Sequence, residues 1–255
     1  MRPYRIFTIL FLFSLLVIDY AYFMWGASLW WLAVSITIYV SAVVLGTIFI
    51  RWNFFLPSLN KSSHKNVVAL TFDDGPAGQT AAILDILKAE GVPAAFFSIG
   101  RHAAAHPDLV KRWDAEGHLV GNHSYGHSFH FDWKSAKAMS REIEQTNDTI
   151  RSIIGKKPKT FRPPYGVTNP NLARAVKRTG MVSIGWSLRT FDTAAKDPKE
   201  LLERILLKVE GGDIILLHDS MPVTTEILTA LIKAVRQKGY TFARVDKMLD
   251  IDAYA

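Results

Sequence analysis

The beginning of the chain and the rest of it carry different hydrophobic patterns. Between residues 6 and 50 the only acidic or basic side chain is Asp19. A helix needs roughly 20 apolar residues to cross a bilayer's hydrocarbon, and this stretch is about twice that. It therefore predicts two helices, at about 6–23 and 29–50, with a tight turn at Gly26-Ala27-Ser28. Tyr22, Trp25, Trp30 and Trp31 gather at that turn, where an aromatic belt would lie. Residues 57–66 are polar and read as a linker. From residue 67 onward, short apolar runs alternate with amphipathic stretches. The runs at 67–71, 94–99, 119–123, 161–163, 181–186, 214–218 and 240–245 read as strands. The stretches at 80–90, 107–116, 136–154, 169–179, 198–209 and 223–238 have helical periodicity. The one at 136–154 stops at Gly155, and Asn169 followed by Pro170 reads as a cap and first helical position.

Repeated strand–helix units imply parallel strands covered by helices. About seven such units predict an α/β fold, a distorted (β/α)7-8 barrel related to the eight-fold kind. An open doubly wound sheet is the alternative, although Gly75-Pro76-Ala77-Gly78 lacks the spacing of a dinucleotide fingerprint. The division is a membrane anchor at 1–56, a linker at 57–66 and a catalytic domain at 67–255.

Charge and composition narrow the partners. The 255 residues include no cysteine, so a metal would have to be held by Asp, Glu or His. The formal charge of +7 is scattered, densest at Lys156, Lys157 and Lys159. No nucleic-acid motif accompanies it, and a solvated surface near anionic lipid accounts for it. Arg2 and Arg5 precede the apolar stretch, while Arg51 and Lys61 follow it. A hairpin puts both groups on one side, and basic flanks lean that side to the cytoplasm. A signal peptide is the rival reading of the first segment, but no small-residue cleavage site supports it, and the second segment would still anchor the chain.

The chemistry starts at Thr71-Phe72-Asp73-Asp74-Gly75-Pro76. Two adjacent carboxylates at a strand end repel unless a cation sits beside them, so they suggest a metal site, a catalytic pair, or both. A capped turn is the competing reading. His123-Ser124-Tyr125-Gly126-His127 sets two imidazoles four residues apart, where one helical turn or a tight loop aims both at one ion. Further on stand Arg162-Pro163-Pro164-Tyr165-Gly166, then Trp186 with Asp192, then Leu216-Leu217-His218-Asp219. Each follows or ends an apolar run.

This ordered set, from about residue 67 to 249, resembles the polysaccharide deacetylase family, the NodB-like members of carbohydrate esterase family four. The resemblance implies a metal-dependent hydrolase that removes N-acetyl groups from amino sugars of peptidoglycan or a chitin-like glycan, and the apolar stretch would anchor it in a membrane. It makes Asp74, His123 and His127 the metal ligands, for Zn2+ by default and for Co2+ or Ni2+ equally by ligand type. Asp73 resembles the general base, Arg162 the residue that keeps it ionised, and His218 the general acid. A backbone N–H near Tyr165 would help stabilise the oxyanion. Trp186 and Leu216 would line a pocket for the acetyl methyl, with core packing the equal alternative for Leu216. Where relatives carry an acid shortly after the tryptophan and then an Asp-Trp pair, this chain has Arg189 and Asp192-Thr193. Asp192 is therefore the expected carboxylate partner of His218, and Arg189 is a surface residue or a contact to an anionic part of the substrate. His64, His102, His106, His118 and His130 are expected to be solvated. Two other functions stay open: a deacetylase or deformylase of a lipid-linked sugar at the cytoplasmic membrane face, and an inactive glycan-binding barrel. The flanking charges favour the cytoplasm, whereas the family's usual substrates lie outside.

Overall fold

The computed structural model describes residues 3–255, so Arg2 of the flanking charges lies outside it. Two apolar helices come first, α1 (Pro3–Trp25) and α2 (Trp30–Ile48), with mean hydropathies of 2.1 and 2.0. They meet through stacked Phe11 and Tyr39 and through the hydroxyl pair Ser14–Ser35 at 2.7 Å. Of their residues only Gly46 is buried. By length and composition both are candidate membrane spans, a test that a signal sequence near an N-terminus also passes.

Among the described residues nine strands follow in one sheet. They are β1 (Ser58–Leu59), β2 (Val67–Asp73), β3 (Ala94–Ser98), β4 (Leu119–Asn122), β5 (Thr160–Phe161), β6 (Val182–Ile184), β7 (Leu188–Arg189), β8 (Ile214–His218) and β9 (Thr241–Phe242). Their order is β1-β6-β5-β4-β3-β2-β8-β7, with β9 against the start of β2, and every ladder is parallel. The helices between them are α3 (Thr80–Glu90), α4 (Gly100–Ala105), α5 (Pro107–Ala115), α6 (Ala136–Ile154), α7 (Pro170–Thr179), α8 (Pro198–Lys208), α9 (Pro222–Gln237) and α10 (Val245–Met248). The Asn169 side chain caps α7 by accepting from Leu172 N–H, and Gly155 ends α6 in the left-handed conformation, as the sequence predicts.

The expected barrel is instead a curled parallel half-barrel. β6 and β7 are the two ends of one segment, interrupted at residues 185–187. β6 bonds to β5, and β7 bonds to β8. The free edge of β6, which a closed barrel would pair with β8, is taken by β1. Gly185 donates to Leu59 O at 2.9 Å, and a Cβ at 185 would lie 2.0 Å from the Asn60 side chain. The stretch expected to be a linker is thus part of the sheet. Ser62 N–H also donates to Gly212 O, and Ile50, Phe54, Phe55 and Leu56 are buried. Ile50 and Leu56 join apolar clusters of the domain, whereas Phe54 and Phe55 pack on α1 and α2; burying each such side chain is worth about 1.5–3 kcal/mol.

Side-chain alternation on β2 separates two apolar layers. Val68, Leu70 and Phe72 point outward into the helix layer with Ile83, Leu87, Leu228 and Leu231. Ala69 points inward with Ala95, Phe97, Leu119, Ile184 and Trp186. The same period carries Thr71 and Asp73 to the inside of the curl. Small residues make room there: a Cβ on Gly121 would lie 2.6 Å from the Phe97 ring.

Candidate active site

Strand register assembles the site. β2 and β8 pair with Asp73 opposite His218 and Thr71 opposite Leu216. β4 pairs with β5 at Asn122 and Phe161, which sets His123 beside Arg162, and Arg162 N–H donates to Asn122 O. All these residues leave the C-terminal ends of parallel strands, where the side chains of such folds converge.

One cavity of about 220 Å³ gathers Asp73, Asp74, His123, His127, Tyr165, Trp186, Leu216 and His218. Arg189 and Thr193 also line it. Arg162 and Asp192 lie behind it, each bonded to a lining residue. Arg189 therefore stands in the wall of the site, with its guanidinium 4.9 Å from the Phe191 ring centroid.

Asp74 Oδ1 lies 3.5 Å from His123 Nε2 and 3.4 Å from His127 Nε2. Those atoms could hold a metal ion. Tetrahedral bonds of about 2.0–2.1 Å put neighbouring ligand atoms roughly 3.4 Å apart, so the spacing fits one zinc-sized ion. Asp74 Oδ1 is buried and has no hydrogen-bond partner, an arrangement that costs energy unless a cation completes it. His123 Nδ1–H donates to Arg162 O at 2.7 Å, which turns Nε2 toward the cavity. Burial first, and the neighbouring His123 second, push His127 down to about 4. Burial works against the Asp74 carboxylate, but the facing His123, and after it His127 and His218, hold it below its ordinary range. The two histidines stand on a tight loop. Ser124 Oγ accepts from His127 N–H, and Asn122 Oδ1 accepts from Ser124 N–H.

Asp73 is bound differently. Arg162 Nη1 donates at 2.8 Å both to Asp73 Oδ1 and to Thr71 Oγ1. Its other nitrogens donate to Ile184 O and Gly185 O, and its plane lies 4.2 Å from the Phe97 ring centroid. The pair is almost entirely buried. Across the cavity His218 Nδ1 lies 2.8 Å from Asp192 Oδ1. Asp192 Oδ2 accepts from His218 N–H and from Thr224 Oγ1. Burial opposes the charge on His218, but Asp192 outweighs it and raises the imidazole above its ordinary value. Trp186 packs over Gly166, where a Cβ would lie 2.2 Å from the indole.

Backbone strain concentrates here. Among the described residues, the non-glycine positive-φ positions include Asp74, Ser124, His127, Tyr165 and Phe191, all at the site or its rim. Each costs on the order of 1–3 kcal/mol, and such costs collect where function fixes a side chain.

Several participants were not expected from the sequence. His102 is half-buried and donates from Nδ1 to Asp74 O at 2.7 Å, and so is not simply solvated. His118 is buried, accepts Ala94 N–H at Nδ1, and is pushed down to about 4 by burial. Asp219 lies beneath the Asp73-Asp74-Gly75 turn, where a Cβ at Gly75 would come 2.0 Å from its Oδ2. Thr80 Oγ1 donates to Asp219, and burial raises its carboxyl to about 7. Its place after His218 was the only available signal. His64, His106 and His130 are exposed, as expected.

Residues 60–184 match the family model described as polysaccharide deacetylase. A peptidoglycan-N-acetylglucosamine deacetylase from Bacillus cereus is 35% identical over 203 residues, covering 76% of this chain and 74% of that protein. The chitin deacetylase of the fungal pathogen Colletotrichum lindemuthianum superposes with a TM-score of 0.73 at 30% identity, covering 78% of this chain and 95% of that one. A CE4 family pseudoenzyme from Bacillus anthracis superposes with a TM-score of 0.70 at 28% identity, covering 76% and 71% of the two chains. With its strand-end carboxylates, histidine pair and buried Arg–Asp pair in place, the chain belongs to the polysaccharide deacetylase family, the NodB-like group of carbohydrate esterase family four.

Proposed function

We propose that this protein is a membrane-anchored, metal-dependent hydrolase that removes N-acetyl groups from the amino sugars of a glycan. The observation that carries this reading is the meeting, in one cavity, of an orphaned carboxylate with two imidazoles, an Arg-paired carboxylate, and a carboxylate-oriented histidine. A family that includes a pseudoenzyme makes the residues themselves the argument for activity, and none of these three arrangements is broken here.

Asp74, His123 and His127 would hold the divalent ion, zinc by ligand type, with cobalt or nickel also suited. Such an ion, when bound, lowers the pKa of a water from about 16 toward 7 and polarises a carbonyl. The chain's own groups do the rest. Asp73, paired with Arg162, accepts a proton from the attacking water. Oxygen bonds to the acetyl carbon, and the Tyr165 backbone N–H helps hold the charge that develops on the carbonyl oxygen. His218 gives a proton to the amide nitrogen as the C–N bond breaks, because an amine anion leaves poorly. Acetate and a free amine result. Asp192 fixes the His218 tautomer, and Trp186 with Leu216 encloses the acetyl methyl.

The apolar helices α1 and α2 are read as the anchor. The deciding experiment is acetate release from N-acetylglucosamine oligomers by the full chain, with zinc, cobalt or chelator added, beside Asp74→Ala. Metal-dependent release that the variant lacks is the expected result. Metal binding without release from any acetylated sugar would leave the glycan-binding reading in its place.

A further inference from the structure

The site stands against the end of helix α2 with no slack between them. Thr168 N–H donates to Thr47 O at 3.0 Å, and Thr168 Oγ1 donates to Gly46 O. Arg51 Nη1 donates to Ser187 O at 3.2 Å, next to Trp186 of the cavity wall. Beyond residue 49 the chain runs straight into the buried residues Ile50, Phe54, Phe55 and Leu56. A 19-residue helix is about 28 Å long, close to the roughly 30 Å of bilayer hydrocarbon. With the Trp30–Trp31 end at one interface, Ile48 falls at the other, and the catalytic cavity falls with it. These contacts hold the cavity beside the helix end.

The surface around the cavity suits that position. A groove of about 540 Å³ is lined by Phe49, Arg51, Trp52, Trp186, Arg189 and Phe191, among others, and its lining holds two arginines and no carboxylate. On the other flank a groove of about 660 Å³ runs from Thr47 of α2 to Tyr165 of the site. Phe129 and Trp133 line it and are 76% and 85% exposed. Exposed aromatic rings at a membrane helix end are what an interfacial belt requires, and guanidinium groups recognise phosphate.

We propose that the cavity mouth sits at the bilayer surface and takes an N-acetylated amino sugar carried on a phosphate-linked lipid, with the phosphate meeting Arg51 and Arg189. The lipid tail remains in the membrane beside α2, and the sugar extends past Trp186 into the cavity. This rests on the deacetylase reading and narrows its substrate to a membrane-borne one.

The test uses the full chain reconstituted in lipid nanodiscs. Acetate release is compared for N-acetylglucosamine on a long-chain prenyl diphosphate and for a phosphate-free N-acetylglucosamine oligomer. A prenyl diphosphate without sugar and inorganic pyrophosphate serve as competing inhibitors. The lipid-linked sugar is expected to have the higher kcat/KM. Arg51→Gln with Arg189→Gln should cut that preference by about 10–100-fold, the cost of losing charged hydrogen bonds, and Arg→Lys at both positions should restore part of it. Prenyl diphosphate should inhibit more strongly than pyrophosphate. Release from the oligomer with no preference for the lipid-linked sugar overturns this inference and leaves the deacetylase standing. A preference unchanged by the double substitution overturns the arginine assignment. Equal inhibition by the two diphosphates overturns the membrane-borne substrate. Prenyl diphosphate bound tightly by a chain that releases no acetate from any sugar would sustain the lipid site while the deacetylase reading fails.

Discussion

The two walls of the cavity place adjacent carboxylates in opposite circumstances. On one wall Asp73 is answered on its inner side: Arg162 donates to it and to Thr71, to the carbonyls of Ile184 and Gly185, and lies over the Phe97 ring. On the other wall Asp74 Oδ1 is buried with no donor, facing two imidazole nitrogens. A fully satisfied wall fixes a charge, whereas an unsatisfied one holds a place for a cation. The largest expected effects separate these roles. Asp74→Asn should weaken zinc binding by at least about 100-fold, since even partners behind a ligand cost about 10–100-fold. Asp73→Asn should keep its zinc and lose about 10²–10⁴-fold in kcat, the usual worth of a general base. Metal content after dialysis, set beside acetate release, reads both. Equal loss of zinc in the two variants would erase the distinction between the walls.

The satisfied wall should be fragile when half of it is removed. Arg162→Met leaves Asp73 buried without a partner, and breaking a buried pair costs about 3–5 kcal/mol. A denaturant titration of Arg162→Met, of Asp73→Asn and of the double variant measures the coupling. The double variant should be more stable than Arg162→Met alone. Simple additivity would mean that the buried pair does not hold the wall.

His218 and Asp192 give a smaller effect with a definite sign. Asp192 is what raises the His218 imidazole against its burial. A general acid must be protonated, so the activity attributable to it is present at low pH and lost as pH rises through the His218 pKa. Asp192→Asn removes the charge that raises this pKa, and the alkaline limb of kcat should therefore move to lower pH. The loss, about 10–100-fold, should be greater at about pH 8 than at about pH 6. A uniform loss across the profile would make Asp192 a scaffold for the β8 end, since it also accepts the His218 N–H.

How much of this was legible in the sequence follows from how local each cause is. Helix bounds were readable because periodicity and caps act over a few residues: α6 and the Asn169 cap stand where the pattern puts them. The roles proposed for the site residues come from the family resemblance; what the residues alone show is that Asp73, His123, Arg162 and His218 end or follow apolar runs, and parallel strands deliver those ends to one rim. Closure of the curl was not readable. It turns on β1, a two-residue strand inside a polar stretch, which occupies the edge of β6 through a contact that spans over a hundred positions of sequence. His118 and Asp219 were missed for a similar reason. Their neighbours in sequence do not show what covers them: Ala94 and Phe96 of β3 meet His118, and Thr80 of α3 meets Asp219, each from a distance in sequence. The buried Leu56 shows the same thing at the end of the apolar segment, where it joins Phe131, Met139 and Leu172.

Leu216 lies between the two walls, and there the smallest effect settles an ambiguity the sequence left open. It belongs to the inner apolar cluster and it lines the cavity, so both readings have a structural basis. Leu216→Val removes one methylene. As core packing alone, the change costs about 1 kcal/mol of stability and treats every acyl group alike. As the floor of an acyl pocket, it also opens space for one more carbon, and a methylene in such a pocket is worth about 1–3 kcal/mol. The ratio of N-propionyl to N-acetyl hydrolysis should then rise about tenfold, while the thermal midpoint falls only slightly. An unchanged ratio with the same small loss of stability would assign Leu216 to the core and leave Trp186, held over Gly166, to bound the methyl on its own.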